Sequence, residues 1–141
     1  MNLQRPRPRM GLYDRPFWDY AAAGELRLQR CASCAAWRFP PGPACPHCLG
    51  QEWGWQPLCG RATLLGWTVF RRQYFPELPV PYTVVSVQTA EGPLLVGNLL
   101  DEGAQGLRPG LPLRLCFEDA ETDGQRWRIP QWRLALEEAA C

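Results

Sequence analysis

The chain has 141 residues, enough for one domain of ordinary size or for a small module followed by a small domain. Its net charge is +1 and all 15 basic residues are arginine, so the overall charge gives no general attraction to nucleic acid or membranes. No stretch approaches the roughly 20 apolar residues that cross a bilayer, and Met1 to Met10 contains no apolar run typical of a signal peptide. We therefore expect a cytoplasmic protein without a membrane partner.

The first segment, residues 1–14, is rich in arginine and proline. Arg5, Arg7 and Arg9 alternate with prolines, which predicts a flexible tail that is solvated or ordered by a partner. Binding of a phosphate group is the alternative interpretation of these arginines.

A short helix is predicted over residues 15–24. Asp14 is suited to cap its N-terminus, and Gly24 is suited to end it. Phe17 recurs with other apolar residues at helical spacing, and Trp18 lies beside that stripe. Because a helix this short is marginal alone, it must pack on another surface. The sequence leaves open whether that surface is the body of the same chain or another subunit.

Two C-x₂-C pairs carry the strongest signal in the sequence, and their members are Cys31, Cys34, Cys45 and Cys48. Two such pairs can close a tetrahedral site of four sulfurs, the arrangement that Zn²⁺ takes in structural sites. Two disulfides or four unconnected buried thiols are the alternatives, but paired spacing without a secretory signal favours metal. Strands flanking the first pair, with Trp37 and Phe39 on the way out, predict a rubredoxin-like zinc ribbon. The helix and ribbon would occupy residues 15–58, with one structural Zn²⁺.

The rest of the chain, residues 59–136, has a β pattern. Short alternating segments bounded by turn residues predict five strands, at 61–70, 82–89, 93–100, 113–117 and 126–134. Five short strands with no helical pattern between them are typical of an OB-fold barrel. Residues 119–125 are polar and turn-like, and residues 137–141 form a C-terminal tail. The predicted fold is mostly β: an N-terminal helix, a Cys₄ zinc ribbon, then a five-stranded barrel.

The loop between the first two barrel strands is stiffened by prolines and carries Arg71, Arg72, Tyr74 and Phe75. Aromatic rings beside arginines can receive a flat ring and a phosphate together. The alternative is that both aromatic side chains cap the barrel and both arginines are solvated.

The order of helix, ribbon and barrel resembles that of the DUF35 family. The resemblance covers about residues 11–134, and its spaced motifs follow in the family's order. The residues that carry it are Pro16-Phe17-Trp18, Cys31-x₂-Cys34, Phe39-Pro40-Pro41, Cys45-Pro-x-Cys48, Pro81-Tyr82, Glu91-Gly92-Pro93, Leu107-x₂-Gly110 and Phe117-Glu118.

The resemblance implies a non-catalytic accessory subunit of acyl-CoA metabolism. Such subunits pair with a larger thiolase-like acyltransferase, synthase or aldol lyase, or with a hot-dog hydratase, and help to hold substrate or CoA. On this interpretation Arg71, Arg72, Tyr74 and Phe75 would contact acyl-CoA. The helix and ribbon, through Phe17, Trp18, Trp37 and Phe39, would dock on the partner.

Two other functions remain open from the sequence. An OB-fold can bind single-stranded nucleic acid, and Arg126, Arg128 and Arg133 form the clearest cluster of cations outside the tail. An enzyme acting alone is disfavoured. The single histidine, His47, lies inside the second cysteine pair, so a catalytic Ser-His-Asp or Cys-His arrangement is not expected. No catalytic residue is predicted.

Overall fold

The computed structural model describes residues 3–135, which contain one helix and nine strands. No helix within that range is long and apolar enough to cross a membrane. The predicted tail at residues 137–141 lies outside the described residues. The elements are β1 (Leu3–Gln4), α1 (Arg15–Ala22), β2 (Arg27–Cys31), β3 (Trp37–Arg38), β4 (Trp53–Pro57), β5 (Arg61–Phe70), β6 (Tyr82–Thr89), β7 (Leu94–Leu99), β8 (Pro112–Thr122) and β9 (Gln125–Leu134).

The ribbon is a three-stranded antiparallel sheet in the order β3-β2-β4. Its central strand, β2, ends at Cys31, the first of the four paired cysteines. The sequence does not predict β4, because Gly54 and Pro57 weaken the strand pattern around its two tryptophans. Pairing with β2 along the whole of β4 outweighs that weak local preference.

Five strands close a barrel in the order β8-β5-β6-β7-β9, with β9 pairing back onto β8. Of these strands, β7 and β9 run parallel, pairing at Leu99 and Trp132, and the other neighbours are antiparallel. The interior is apolar, and Leu64, Val85 and Trp132 are fully or almost fully buried. The predicted mostly-β class, with an OB-fold barrel after the ribbon, is confirmed.

The bounds of β5 and β6 agree with the alternating pattern in the sequence. The register shifts between Leu64 and Gly66, which indicates a β-bulge within β5.

The hairpin of β8 and β9 is longer than the sequence predicts. Residues 119–125 are predicted as a turn, but only Asp123 and Gly124 leave the strands, both with positive φ, at 51° and 76°. The polar residues before them continue the ladder because their side chains lie on a solvated face. Asp119 pairs with Arg128 across the hairpin at 2.9 Å.

Helix α1 packs on its own chain, which is one of the two surfaces that the sequence leaves open. Phe17 and Ala21 are buried, and the ring of Trp18 meets that of Trp127 edge to face at 5.6 Å. Asp14 is the N-cap residue of the helix, as predicted, but its side chain makes no capping hydrogen bond to the helix. The Asp14 carboxylate instead accepts a hydrogen bond from the Gly11 N–H at 3.4 Å.

The N-terminal segment lies along the barrel, whereas the sequence predicts a flexible tail over residues 1–14. Strand β1 pairs in parallel with β8 at Ala120 and Glu121. Arg5 then donates to Glu118 at 2.6 Å, and the Thr122 hydroxyl donates to the Arg5 carbonyl at 2.6 Å. Strand β8 pairs with β5 only near its start, so the rest of that edge is open to another strand. Strand β1 can pair there because an open edge presents unpaired backbone groups.

Candidate functional site

The two cysteine pairs come together in space. Their Sγ atoms all lie within 4.8 Å of one another, with Cys31 and Cys48 separated by 3.5 Å and Cys34 and Cys45 by 3.6 Å. In a tetrahedral thiolate site with Zn–S bonds near 2.3 Å, the sulfurs lie about 3.8 Å apart. The four thiols therefore fit a metal ion of the size and ligand preference of Zn²⁺.

The two halves of the metal site repeat the same backbone turn. The Ala35 N–H donates to the Cys31 carbonyl at 3.1 Å, and the Leu49 N–H donates to the Cys45 carbonyl at 2.9 Å. Ala35 and Leu49 have positive φ, at 62° and 64°, in the left-handed region. The side chain of His47 is exposed and does not belong to the ligand cluster.

Backbone amides favour the thiolate form at three of the four sulfurs, and at two of them the net effect is a lowered pKa. The Cys34 N–H is the main cause that lowers the pKa of Cys31 to about 6, and the Cys48 N–H is the main cause that lowers the pKa of Cys45. At Cys34 the Ala36 amide also favours the thiolate, but the neighbouring sulfurs, Cys45 first, together with burial, raise the pKa to about 11. A divalent cation relieves this crowding of negative charge, which is further support for a metal site.

Two buried polar side chains of the ribbon hold the turn that leads to Cys45. The amide of Gln29, which is completely buried, bonds both the N–H and the carbonyl of Gly42, at 2.8 and 3.2 Å. Arg38 donates to the same carbonyl at 2.8 Å, and its guanidinium lies over the ring of Trp53. The sequence analysis missed both residues, because a polar residue in a strand gives no sign that it is buried.

An apolar groove lies where the helix, the ribbon, the barrel and the 71–81 loop meet. Its volume is about 410 Å³, which is within the range of small-molecule sites. Each of the four parts contributes an apolar side chain, and these include Trp18, Phe39, Phe75, Val96 and Trp127. The groove is thus a composite of segments that are far apart in the sequence.

A polar cluster forms part of the lining of the groove. Arg5 donates to Asn98 at 3.3 Å and to Glu118, while the Gln131 amide donates to both of these acceptors, at 3.2 and 3.3 Å. Arg5 and Asn98 also line a second, larger cavity of about 720 Å³. The cluster therefore stands between an apolar cavity and a more polar one.

The four loop residues predicted to contact acyl-CoA are divided between sites. Arg71 lines the larger cavity, together with Asp101 and other acidic residues. Phe75 lines the apolar groove. Arg72 lies over the ring of Tyr74 at 5.4 Å, and both of these side chains are exposed.

The four residues predicted to bind a partner differ in exposure. Phe17 is buried in the chain's own core, so its side chain cannot reach a partner in this conformation. Trp18 and Trp37 are half-buried. Phe39 is exposed and contacts the Phe17 ring at 5.7 Å. Packing of the helix therefore buries Phe17, while Trp18, Trp37 and Phe39 stay at least partly accessible to a partner.

The arginine cluster that could bind nucleic acid is partly neutralised. Arg128 pairs with Asp119 at 2.9 Å, and Arg126 faces Glu121 at 3.9 Å. The hairpin therefore does not present a row of unpaired cations at these positions, which weakens the nucleic-acid alternative.

The sequence analysis missed the barrel residues of the groove, Val96, Trp127 and Ile129. One signal was present in β7, where Leu94, Leu95 and Val96 form a continuous apolar run. Such a run places apolar side chains on both faces of a strand, one toward the core and one outward. An outward apolar face at that position indicates a surface that binds something.

Two family models match the chain in succession. The rubredoxin-like zinc ribbon domain of ChsH2 matches residues 18–54, and the C-terminal OB-fold domain of ChsH2 matches residues 55–118. The boundary between the two models falls within β4, close to the predicted boundary between ribbon and barrel.

The chain is also similar to two curated proteins. It is 36% identical over 134 residues to the probable enoyl-CoA hydratase alpha subunit of Thermomonospora curvata, covering 94% of this chain and 40% of that protein. It is 29% identical over 118 residues to the 3-oxo-4,17-pregnadiene-20-carboxyl-CoA hydratase alpha subunit of Mycobacterium tuberculosis, covering 84% of this chain and 35% of that protein. The chain thus spans about two fifths of the length of these curated relatives or less.

A solved structure matches nearly the whole chain. The Ltp2-ChsH2(DUF35) aldolase contains a chain that superposes with a TM-score of 0.84 at 30% identity. The match covers 92% of this chain and 100% of that one.

Proposed function

The chain belongs to the ChsH2 (DUF35) family, and on that premise we propose that it is a non-catalytic accessory subunit of an enzyme that processes acyl-CoA substrates. The observation that carries the proposal is the similarity to the whole of one chain of an aldolase, at a TM-score of 0.84. Two hydratase alpha subunits among its relatives support a role in the same chemistry. Its partner would be a larger thiolase-like or hydratase-like subunit.

The metal site has a structural role in this proposal. One Zn²⁺ per chain would be held by Cys31, Cys34, Cys45 and Cys48, leaving no open position for substrate. The ion would join the end of β2 to the turn before β4. It would thereby hold the ribbon in place beside the groove.

The apolar groove is the proposed site for the apolar part of the acyl group. Its lining is mainly apolar, its volume of about 410 Å³ is suitable, and Gln131 and Asn98 supply a few polar atoms. The adjoining cavity of about 720 Å³ would receive the more polar CoA portion. A molecule with one apolar and one polar half matches this pair of cavities.

The 71–81 loop is proposed to contact both halves of that molecule. Phe75 would cover the acyl group from the groove side. Arg71, at the larger cavity, and Arg72, stacked on Tyr74, would approach the phosphates of CoA.

The partner is proposed to dock on the face formed by Trp18, Trp37 and Phe39. These aromatic residues are at least partly accessible, and aromatic residues are enriched at protein interfaces. Phe39 also lines the groove, so a subunit bound on this face would lie next to the bound acyl group.

Native mass spectrometry of the tagged chain, purified from its own host, tests the proposed function. We expect one zinc ion per chain and a larger thiolase-like or hydratase-like protein in a fixed ratio. The complex, but not the isolated chain, should turn over an acyl-CoA. A zinc-loaded monomer without a partner would contradict the proposal, and salt-sensitive retention of an oligonucleotide would favour a nucleic-acid-binding module instead.

A further inference from the structure

The apolar groove lies along a seam of the barrel, where β7 and β9 separate. Leu99 and Trp132 are the only residues that pair these two strands within residues 3–135. Residues of both strands that precede this pair line the groove, among them Val96 and Ile129. Part of the edge of β7 therefore forms a wall of the groove.

The peptide groups of Val96 face this seam. In an antiparallel ladder, residues alternate between bonding the neighbouring strand and pointing away from it. The Thr89 N–H donates to the Pro93 carbonyl at 2.9 Å, so the alternation between β6 and β7 places the N–H and carbonyl of Val96 away from β6. The Asn98 N–H points the same way, since it donates to Gln131 Oε1 at 2.6 Å.

Pro130 ends the pairing of β7 with β9 before it reaches Val96. If the parallel ladder continued by one more step, the N–H of residue 130 would donate to the Val96 carbonyl. Proline has no N–H, so that bond cannot form. The N–H and carbonyl of Val96 therefore lie beyond the paired segment, and Val96 is exposed, so a ligand can reach them. Leu94, the next residue on this edge, borders a separate cavity that contains Glu91.

An open strand edge suits a ligand that carries amides. It offers a backbone donor and a backbone acceptor within a wall that is otherwise mainly apolar. In an acyl-CoA, the pantetheine arm between the acyl group and the nucleotide is extended and contains two secondary amides. Asn98 lines both the groove and the larger cavity, so an arm that joins the two passes close to Val96.

We propose that the edge of β7 at Val96 binds the pantetheine arm of the acyl-CoA. One amide of the arm donates its N–H to the Val96 carbonyl, and the carbonyl of the other amide accepts from the Val96 N–H, as in the pairing of two strands. The inference rests on the proposed function, because it identifies the backbone atoms that hold the proposed ligand. The bound arm sets how far the acyl chain enters the groove.

Amide hydrogen exchange of the zinc-loaded full chain, followed by NMR, tests whether the edge is open. After correction for intrinsic rates, we expect the Val96 N–H to exchange at least about tenfold faster than the Gly97 N–H, which faces β6. Equal protection of the two amides would show that Val96 is bonded within the chain and would overturn the inference.

The same measurement with a ligand tests the hydrogen bond. Saturating S-dodecanoylpantetheine should slow exchange of the Val96 N–H by about fivefold or more. Dodecanoate is the control, because it can fill the groove but has no amide, and it should slow this exchange much less. The indole signal of Trp127, which lines the groove, reports occupancy by either probe. Equal slowing by both probes would show that exclusion of water is sufficient, and would overturn the inference.

Val96→Pro is the matching variant, because it removes an N–H that the ladder with β6 does not use. We expect calorimetry to show an affinity for S-dodecanoylpantetheine that is about fivefold lower, with little change for dodecanoate. Val96→Thr keeps the N–H and the branched shape and should bind nearly as the wild type does. Equal affinities of the two variants for the thioester would contradict the assigned bond. If the proline variant does not fold, the exchange experiment on the wild-type chain decides.

The outcomes separate this inference from the proposed function. If S-dodecanoylpantetheine shifts the Trp127 signal without slowing exchange at Val96, the inference fails and the proposed acyl site stands. If the thioester does not bind, the proposed acyl site fails and the inference fails with it. If Val96 is protected by the partner subunit but not by the thioester, the edge pairs with a strand of that subunit, and the inference is overturned.

Discussion

Val96 and Leu94 lie two residues apart on β7 and are both exposed, at 71% and 58%, yet they border different cavities. Val96 lines the apolar groove, and Leu94 lines the cavity that contains Glu91. One strand therefore serves two neighbouring sites. Because both side chains are accessible, each can be changed with little risk to the fold.

Val96→Glu should weaken acyl-CoA binding to the zinc-loaded chain. A charge in the apolar groove opposes burial of the acyl group, so we expect the affinity for dodecanoyl-CoA to fall about tenfold. Calorimetric titration of the isolated chain provides the measurement. Leu94→Glu is the matched control and should leave this affinity unchanged. An equal effect of both variants would contradict the assignment of the groove.

Cys45→Ser should remove the metal and destabilise the chain. Cys45 is almost fully buried, and the ribbon shares its apolar core with the barrel through Leu28 and Leu64. We expect a lower zinc content and a loss of several kcal/mol in the free energy of unfolding, in line with the roughly 10 kcal/mol or more of structural zinc sites. His47→Ala, in the same turn, should retain the metal. Elemental analysis measures the zinc content, and urea unfolding measures the stability. Loss of zinc from His47→Ala would contradict the prediction and show that His47 has a role in the site.

Gly50→Ala should weaken zinc binding through a direct steric effect. A Cβ at this position would lie 3.2 Å from Cys48 Sγ and 3.4 Å from Cys31 Sγ, so the sulfurs would have to move. Competition with a chelator should give an affinity lower by about tenfold. Gly54→Ala offers a comparison only four residues away, since a Cβ there meets nothing within 4 Å. Similar zinc affinities for the two variants would argue against tight packing around the sulfurs.

Arg5→Met should destabilise the barrel. It breaks the partly buried pair with Glu118 and leaves that carboxylate without its cation, at a cost of about 1–3 kcal/mol. Urea unfolding measures the loss, with Arg9→Met as the control because Arg9 is exposed. If the two variants were equally stable, the N-terminal segment would not contribute to the fold.

Cys116 should react slowly with alkylating reagents at neutral pH. Burial raises the pKa of this thiol, despite the nearby cations of Arg133 and Arg114. A raised pKa means less thiolate at neutral pH, so alkylation should accelerate when the pH is raised to about 9. Mass spectrometry of the modified peptide follows the rate, and the urea-unfolded chain serves as reference. If Cys116 were alkylated at the same rate in the folded chain as in the unfolded chain, the raised pKa would be contradicted.

The sequence by itself determined the features that depend on local spacing. The cluster of four thiols follows from two C-x₂-C pairs, because each pair forms one turn of backbone that directs both of its sulfurs to the same point. Strands β5 and β6 were predictable to their ends, since alternation records which face of a strand is buried. The motifs that resemble the DUF35 family lie along this chain in the same order as in that family.

Only the tertiary structure decided where distant segments meet. Closure of the barrel and packing of α1 on β9 bring Phe39, Phe75 and Trp127 to one groove, although they are far apart in the sequence. Arg5 reaches Glu118 because β1 takes the free edge of β8. Glu91 and Trp37 line one cavity although they are far apart in the sequence. Such contacts depend on how strands pair and pack, and local sequence patterns do not record that.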